Sequence, residues 1–463
     1  MKLSAFQWAA ASSLLLLTLS AFAATRPQYG GVLRVSVSEA PASLDPADTT
    51  QPDSFTRRNL THLVFETLVT HDDLGRIRPG LATWWMFEAS GRALAWQFRL
   101  RPHVAFHDGT ALTPAIAADS LRRANSSWKI ISDADSVIVE CDVYCPYMLE
   151  ELTLARDAIV NKSADGKLSG TGPFRIADWQ PGKKVILAVE ERYWAGRPFL
   201  DGIEIEFGKN FREQLTGLES GKSDLIEIPA DQSRRISSTG VQIWRSQPLE
   251  LIALVFARVA QTPEEKSLRE ALALCMERSS MTRVILQGAG QPAASILPNW
   301  MSGYGFVFST EADLFRAQHL REEVRNPPAW TISYDGSDAT AGLLAERVAL
   351  NARDAGLQLQ PTRSVTADIR LERIPLDSDP VLALSMVASS AGLPSPAINN
   401  DSAEDLFSAE KEILASQKLI PLFHLPVVYV ATSALSDWSP QPDGTWNLAN
   451  AWLAREQSGS GHP

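Results

Sequence analysis

The sequence predicts mixed α/β lobes, and more than one of them. Three observations carry this expectation. Strand-like and helix-like periodicities intermix over the whole length, as α/β or α+β layers require. At 463 residues the chain exceeds what one hydrophobic core organises. Its 45% hydrophobic and 21% charged residues are ordinary for a folded globular protein.

The N-terminus comes first. Lys2 precedes "WAAASSLLLLTLSAFA", and Ala21-Phe22-Ala23 has the small-x-small form of a cleavage site. Residues 1–23 are therefore expected to leave as a secretory signal peptide. No cysteine stands at the site for lipid attachment, so a periplasmic location is expected. No other apolar run approaches the roughly 18 residues of a transmembrane helix, so no direct membrane insertion is expected. The net charge of -11, one unit more negative once Lys2 leaves, argues against nucleic acid as a partner.

Next come the elements. Leu33, Val35 and Val37 alternate with Arg34 and Ser36 in "GVLRVSV", a strand pattern repeated in "LAWQFRL" (Leu94–Leu100). "KKVILAVEE" and "GIEIEF" read as two more strands around a turn-rich segment, and Leu225–Ile228 as another. Lys266–Met276 carries a helical stripe of Leu268, Ala271, Leu272 and Cys275, which makes Cys275 a buried thiol. A short helix at Met281–Leu286 stops near Gly288. Leu343, Leu344, Val348 and Ala352 line a further helix that Gly356 ends, and Asp401 or Ser402 caps the one through Ile413. Cys141 and Cys145 would lie about 13 Å apart in an extended strand, beyond disulfide reach. Pro146 signals a turn that would let them pair, and both readings stand.

Motifs with apparent chemistry dissolve on inspection. His103 and His107 have zinc-ligand spacing, but on an extended segment their rings would stand roughly 13 Å apart, with no Cys or third His beside them. No metal is expected. "GLESGKSD" (Gly217–Asp224) has three residues where a phosphate loop needs four before Gly-Lys-Ser. No nucleophile elbow appears, so catalytic residues and cofactors are expected to be none, with a secreted hydrolase as the remote alternative. "VAFHDGTALT" reads as a joint: Asp108-Gly109 turns the chain, and Thr113 caps a helix that opens on Pro114.

Taken in order, several blocks resemble the extracellular solute-binding proteins of family 5, which serve peptide, nickel and related ABC importers. The blocks are "GGVLRVSVSEAPASLDPA" with Leu44-Asp45-Pro46, and "VFETLVTHDDLGRIRPGLATWW" with Glu66 and Trp85. They continue with Phe106-His107-Asp108-Gly109, Gly170-Thr171-Gly172-Pro173, Tyr193-Trp194, and "LREALALCMERSSMTRVILQGAGQPAASILP". "LIPLFHLPVVYV" resembles the return strand. The resemblance covers most of residues 30–300 and a piece near 402–432.

This resemblance implies a two-lobed periplasmic-binding-protein (Venus-flytrap) fold. Lobe I would span 24–254, with a reduced subdomain at roughly 55–168, and lobe II 255–425. Residues 426–463 would return to lobe I. The implied hinge is Leu254, Val255, Phe256 and Ala257 with Pro426, Val427, Val428 and Tyr429. The implied function is capture of a small solute, a peptide first, between the lobes of a monomer that delivers it to ABC permease subunits. Thr366–Asn400 lacks the family's segment that holds a peptide amino terminus. That departure and the reduced subdomain motivate an alternative, an interaction or sensor module that has lost solute binding.

Candidate ligand residues are Asp45, the second-lobe aromatics Trp300, Tyr304, Trp330 and Tyr334, and Arg258. Arg258 stands next to the first crossing segment, and its planar fork suits a ligand carboxylate. Trp85, Trp96, Trp179 and Trp194 are assigned to scaffold.

Overall fold

The computed structural model describes residues 26–454 except 52, 73–74, 91–92, 143–144, 237–239, 306, 365, 399–400 and 442. The expected signal peptide lies outside the described residues. Among these residues, no helix is long and apolar enough to cross a membrane.

One eleven-stranded sheet runs through both halves of the molecule. Its strands are β1 (Val32–Ser36), β2 (Phe174–Gln180), β3 (Lys184–Val189), β4 (Gly202–Glu206), β5 (Leu225–Ile228) and β6 (Val241–Phe256). They continue with β7 (Gln291–Pro292), β8 (Ala329–Ser333), β9 (Gln358–Thr362), β10 (Ile369–Pro375) and β11 (Leu419–Thr432). The spatial order is β2-β3-β4-β1-β5-β11-β6-β10-β8-β9, with β7 beside β11. β1 pairs in parallel with β4 and β5, as β8 does with β9 and β10.

β6 and β11 carry the sheet from one half to the other. Leu249 and Val427 pack in a core built from Leu33, Val35, Val37 and the helix Phe55–Val64. Leu251 and Ile252 on β6, and Leu425 on β11, pack in two cores on opposite faces of the second half. The passage therefore falls between Leu249 and Leu251 on one strand, and between Leu425 and Val427 on the other. Its ladder is irregular: the register shifts on either side of Pro248, which stands opposite Pro426. Prolines donate no ladder hydrogen bond, so this is where the pairing is weakest.

The passage stands apart from half of the expected hinge residues. Leu254, Val255 and Phe256 lie past the passage, buried and paired with β10 and β11, while Ala257 follows the strand end. Pro426 sits at the passage, and Val427, Val428 and Tyr429 continue into the first half. Sequence could not separate these positions, because β6 is continuously apolar from Leu251 to Phe256.

A four-stranded antiparallel sheet forms the extra unit of the first half. Ala82–Ser90, Ala93–Leu100, Ser136–Cys141 and Lys129–Ser132 lie in that order, covered by the helix Pro114–Ala124. Its core draws on Leu68 to Ile159, whereas Phe55, Leu60, Leu63 and Val64 belong to the main core. Cys141 and Cys145 form a disulfide with Cα atoms 6.3 Å apart, so the chain does turn between them.

The joint at Val104–Thr113 is held by its own residues. Asp108 Oδ1 accepts from Thr110 N at 2.9 Å, Gly109 takes φ +86°, and Thr113 accepts from Ile116 N. His107 N donates to Gly170 O, and its Nε2 lies 2.9 Å from Gly172 O. Gly170 and Gly172 press against the Val64 backbone, where an added Cβ on Gly170 would stand 1.9 Å from Val64 O. Glu66 completes this node. Burial raises its carboxyl above the usual range, while Trp194, Tyr193 and Thr171 favour the charge with hydrogen bonds of 2.8, 2.7 and 2.8 Å.

Candidate ligand cleft

In an open parallel sheet, ligands bind outside the carboxyl ends of the strands. The first half places Glu39 just past β1 and Glu227 near the end of the adjacent β5. The second half places Asp338 after β8, and Asp377 and Asp379 after β10. The two sets of strand ends meet across the passage. Thr340 Oγ1 donates to Asp231 Oδ2 at 3.1 Å, and Arg58 Nη1 donates to Leu376 O at 2.9 Å. Both hydrogen bonds join the halves.

The cleft is rich in carboxylates, and several cations are already engaged. Arg58 is nearly enclosed and bound to Asp53 at 2.6 Å. Arg373 bridges Glu250 at 2.6 Å and Asp338 at 2.9 Å. Burial raises the Asp377 carboxyl against the pull of Arg58. Burial also raises Glu39, although Ser54, Thr56 and Arg57 at the start of the helix Phe55–Val64 favour its charge. Glu227 is pushed up to about 8 by burial and then by Glu39 and Glu250, and its Oε2 is enclosed without a hydrogen-bond partner among the described residues.

A cavity of about 270 Å³ lies beside this region, between the helix Phe55–Val64, the hairpin Val69–Pro79, Trp194, Trp446 and Ser378. His62, His71 and Asp443 face it, and burial lowers the His62 imidazole so that it stays neutral at pH 7. Among the described residues, no group of three or more His, Cys, Asp or Glu is arranged to hold a metal ion.

The residues expected from sequence scatter. Arg258 lies beyond β6 on the surface, with Nη1 2.8 Å from Glu265 Oε2, so its fork is occupied and it offers the cleft no anchor. Trp330 is core, edge-on to Phe256 at 5.5 Å, and Tyr334 packs on the same cluster beside Gly342. Trp300 and Tyr304 do come together. They line a surface hollow of about 470 Å³ with Gln247 and His424, and Trp300 Nε1 donates to Pro248 O at the passage. The Tyr304 hydroxyl is committed to the buried Glu410. Asp45 pairs with Lys162 at 3.0 Å, on the hairpin next to Val160 of the main core. Glu39, Arg58 and Glu227 were missed. The available signal was a lone acid in the apolar "LIEI" of β5.

The fold and its cleft define a two-lobed binding protein. The model for "Bacterial extracellular solute-binding proteins, family 5 Middle" matches residues 76–374, and the chain belongs to this family. It is similar to the nickel-binding protein NikA of Staphylococcus aureus, at 24% identity over half of this chain and 49% of that one. It is also similar to the nickel-binding periplasmic protein of Escherichia coli, at 24% identity over 64% of each. The chain thus spans about a third to just under two thirds of the length of the curated relatives it matches. Among solved structures, the Bacillus subtilis oligopeptide-binding protein AppA in complex with a nonapeptide superposes with a TM-score of 0.79 at 17% identity, over 93% of this chain and all of that one. S. aureus NikA in complex with Ni(L-His)2 gives 0.76 at 18%, over 91% and 99%. These likenesses establish the fold.

Proposed function

We propose that the chain is the solute-capturing component of an ABC importer, exported to the periplasm, closing on a small solute and presenting it to permease subunits. The observation that carries this reading is the passage at Pro248 and Pro426. Two halves with separate cores face each other with their strand carboxyl ends, and the strands joining them shift register on both sides of Pro248, which stands opposite Pro426. A solute that contacts both sets of strand ends favours the closed arrangement by its difference in affinity for the two states. A peptide or peptide-like compound remains the leading solute class, supported by the peptide complex of AppA. Purification from the native host followed by mass spectrometry of what co-purifies tests this. Scattering with and without that compound should show contraction, and an unchanged radius rules out hinge closure.

One observation favours a second reading. Arg58–Leu376 and Asp231–Thr340 hold the halves together through the chain's own groups. An interaction module that no longer opens would bind no solute, and its thermal unfolding would ignore every compound offered.

A further inference from the structure

We propose that Glu227, with Glu39, forms a subsite for a protonated guanidinium or amine of the solute, and that occupying it releases a proton. This inference rests on the transport reading above and names the solute's charge.

The argument begins with placement. Ser36 of β1 pairs with Ile226 of β5, so Glu39 and Glu227 both emerge at the carboxyl ends of neighbouring parallel strands. Glu250 contributes a third carboxylate from β6, on the other side of β11. Glu39 and Glu250 both push the Glu227 carboxyl up, so the three acids stand close enough to require positive charge or protons. Arg373 is committed to Glu250 and Asp338, and Arg58 to Asp53 and Leu376 O. Arg57 reaches the carbonyls of Gln51, Asp45 and Asp48 and adds a favourable charge to Glu39. Glu227 has Tyr429 opposite it on β11, whose hydroxyl is given to Gly444 O. Glu227 Oε2 therefore has no partner among the described residues, although it is enclosed.

A cation from outside supplies what is missing. A guanidinium offers five donors in a plane, enough for both oxygens of Glu227 and one of Glu39. A neutral solute leaves one carboxyl protonated, and an anion is repelled. In the empty cleft the Glu227 proton is the substitute for that cation. The exchange balances: one ligand cation enters, the Glu227 O–H bond breaks, and the proton passes to solvent.

The test uses the whole mature protein and a thermal-shift panel of amines, amino acids, dipeptides, sugars and metal chelates, with agmatine and Gly-Arg as guanidinium probes. Gly-citrulline and Gly-Glu are the neutral and acidic counterparts. Guanidinium probes are expected to bind at least tenfold tighter than Gly-citrulline. Their affinity should rise up to tenfold per pH unit between pH 6 and 8, because the carboxyl must lose its proton before pairing. Calorimetry in buffers of different ionisation enthalpy should count close to one proton released at pH 7. Glu227→Gln should abolish both the proton release and the pH dependence, and Glu39→Gln should weaken binding without removing the release. Tighter binding of neutral or acidic members, or unchanged guanidinium affinity in Glu227→Gln, overturns the subsite and leaves the transport reading standing. No response to any compound in the wild type overturns both.

Discussion

Glu66 shows how much a single buried acid can organise. Its two oxygens take three donors from residues over a hundred positions away. Glu66→Ala leaves those donors unpaired and should cost about 3 kcal/mol in urea unfolding, while Glu66→Gln, which keeps an acceptor, should cost about 1. Glu227 is the opposite case: its enclosed Oε2 has no donor among the described residues. Its raised folded value means that the native state binds the extra proton between about pH 4.5 and 8, so stability rises as pH falls through that window. Glu227→Gln should therefore stabilise the empty protein at pH 9, by about 1–3 kcal/mol, and change little at pH 5. His424 has the reverse sign. Burial lowers it to about 4 although Ile296 O favours its proton, so the unfolded chain binds the proton first and stability is lost as pH falls from 6.5 to 4. Melting curves of His424→Gln across that range should be flatter than those of the wild type.

The elements divide sharply into those legible in sequence and those that were not. The joint at Val104–Thr113 was legible because a turn and an N-cap are local chemistry, settled by Asp108, Gly109, Thr113 and Pro114. β1 and β5 were legible from alternation or from a short apolar run. The helix Ala339–Asp354 was half legible: Leu344, Val348 and Ala352 are buried, but Leu343 points to solvent because Ala345 takes its place on the buried stripe. The Cys141–Cys145 bridge depended on whether the strand ended, which neither cysteine encodes. Closing so short a loop is worth about 2 kcal/mol, and that loss should appear when Cys141 and Cys145 are both replaced by Ser. The candidate cleft was least legible. Glu39 and Glu227 are brought together by a parallel pairing of strands nearly two hundred residues apart, while of the aromatics chosen instead Trp330 and Tyr334 pack on a core and Trp300 and Tyr304 line a surface hollow.

At the scale of the molecule, the proposed closure sets groups that already join the halves against a solute that would join them better. Replacing Asp231 and Arg58 together by Ala removes two of the hydrogen bonds that join the halves. X-ray scattering of that variant without ligand should show a radius of gyration larger by roughly 1 Å than the approximately 22 Å of a chain this long. The extra unit should follow the first half in any such motion, since the Glu66 node fastens it there. The continuous sheet has a further consequence. β6 and β11 stay laddered on both sides of Pro248, so the halves are bound like the covers of a book to one spine. In the proposed closure the halves would swing without slipping past one another, and each reopening would return the same strand ends to the same mates.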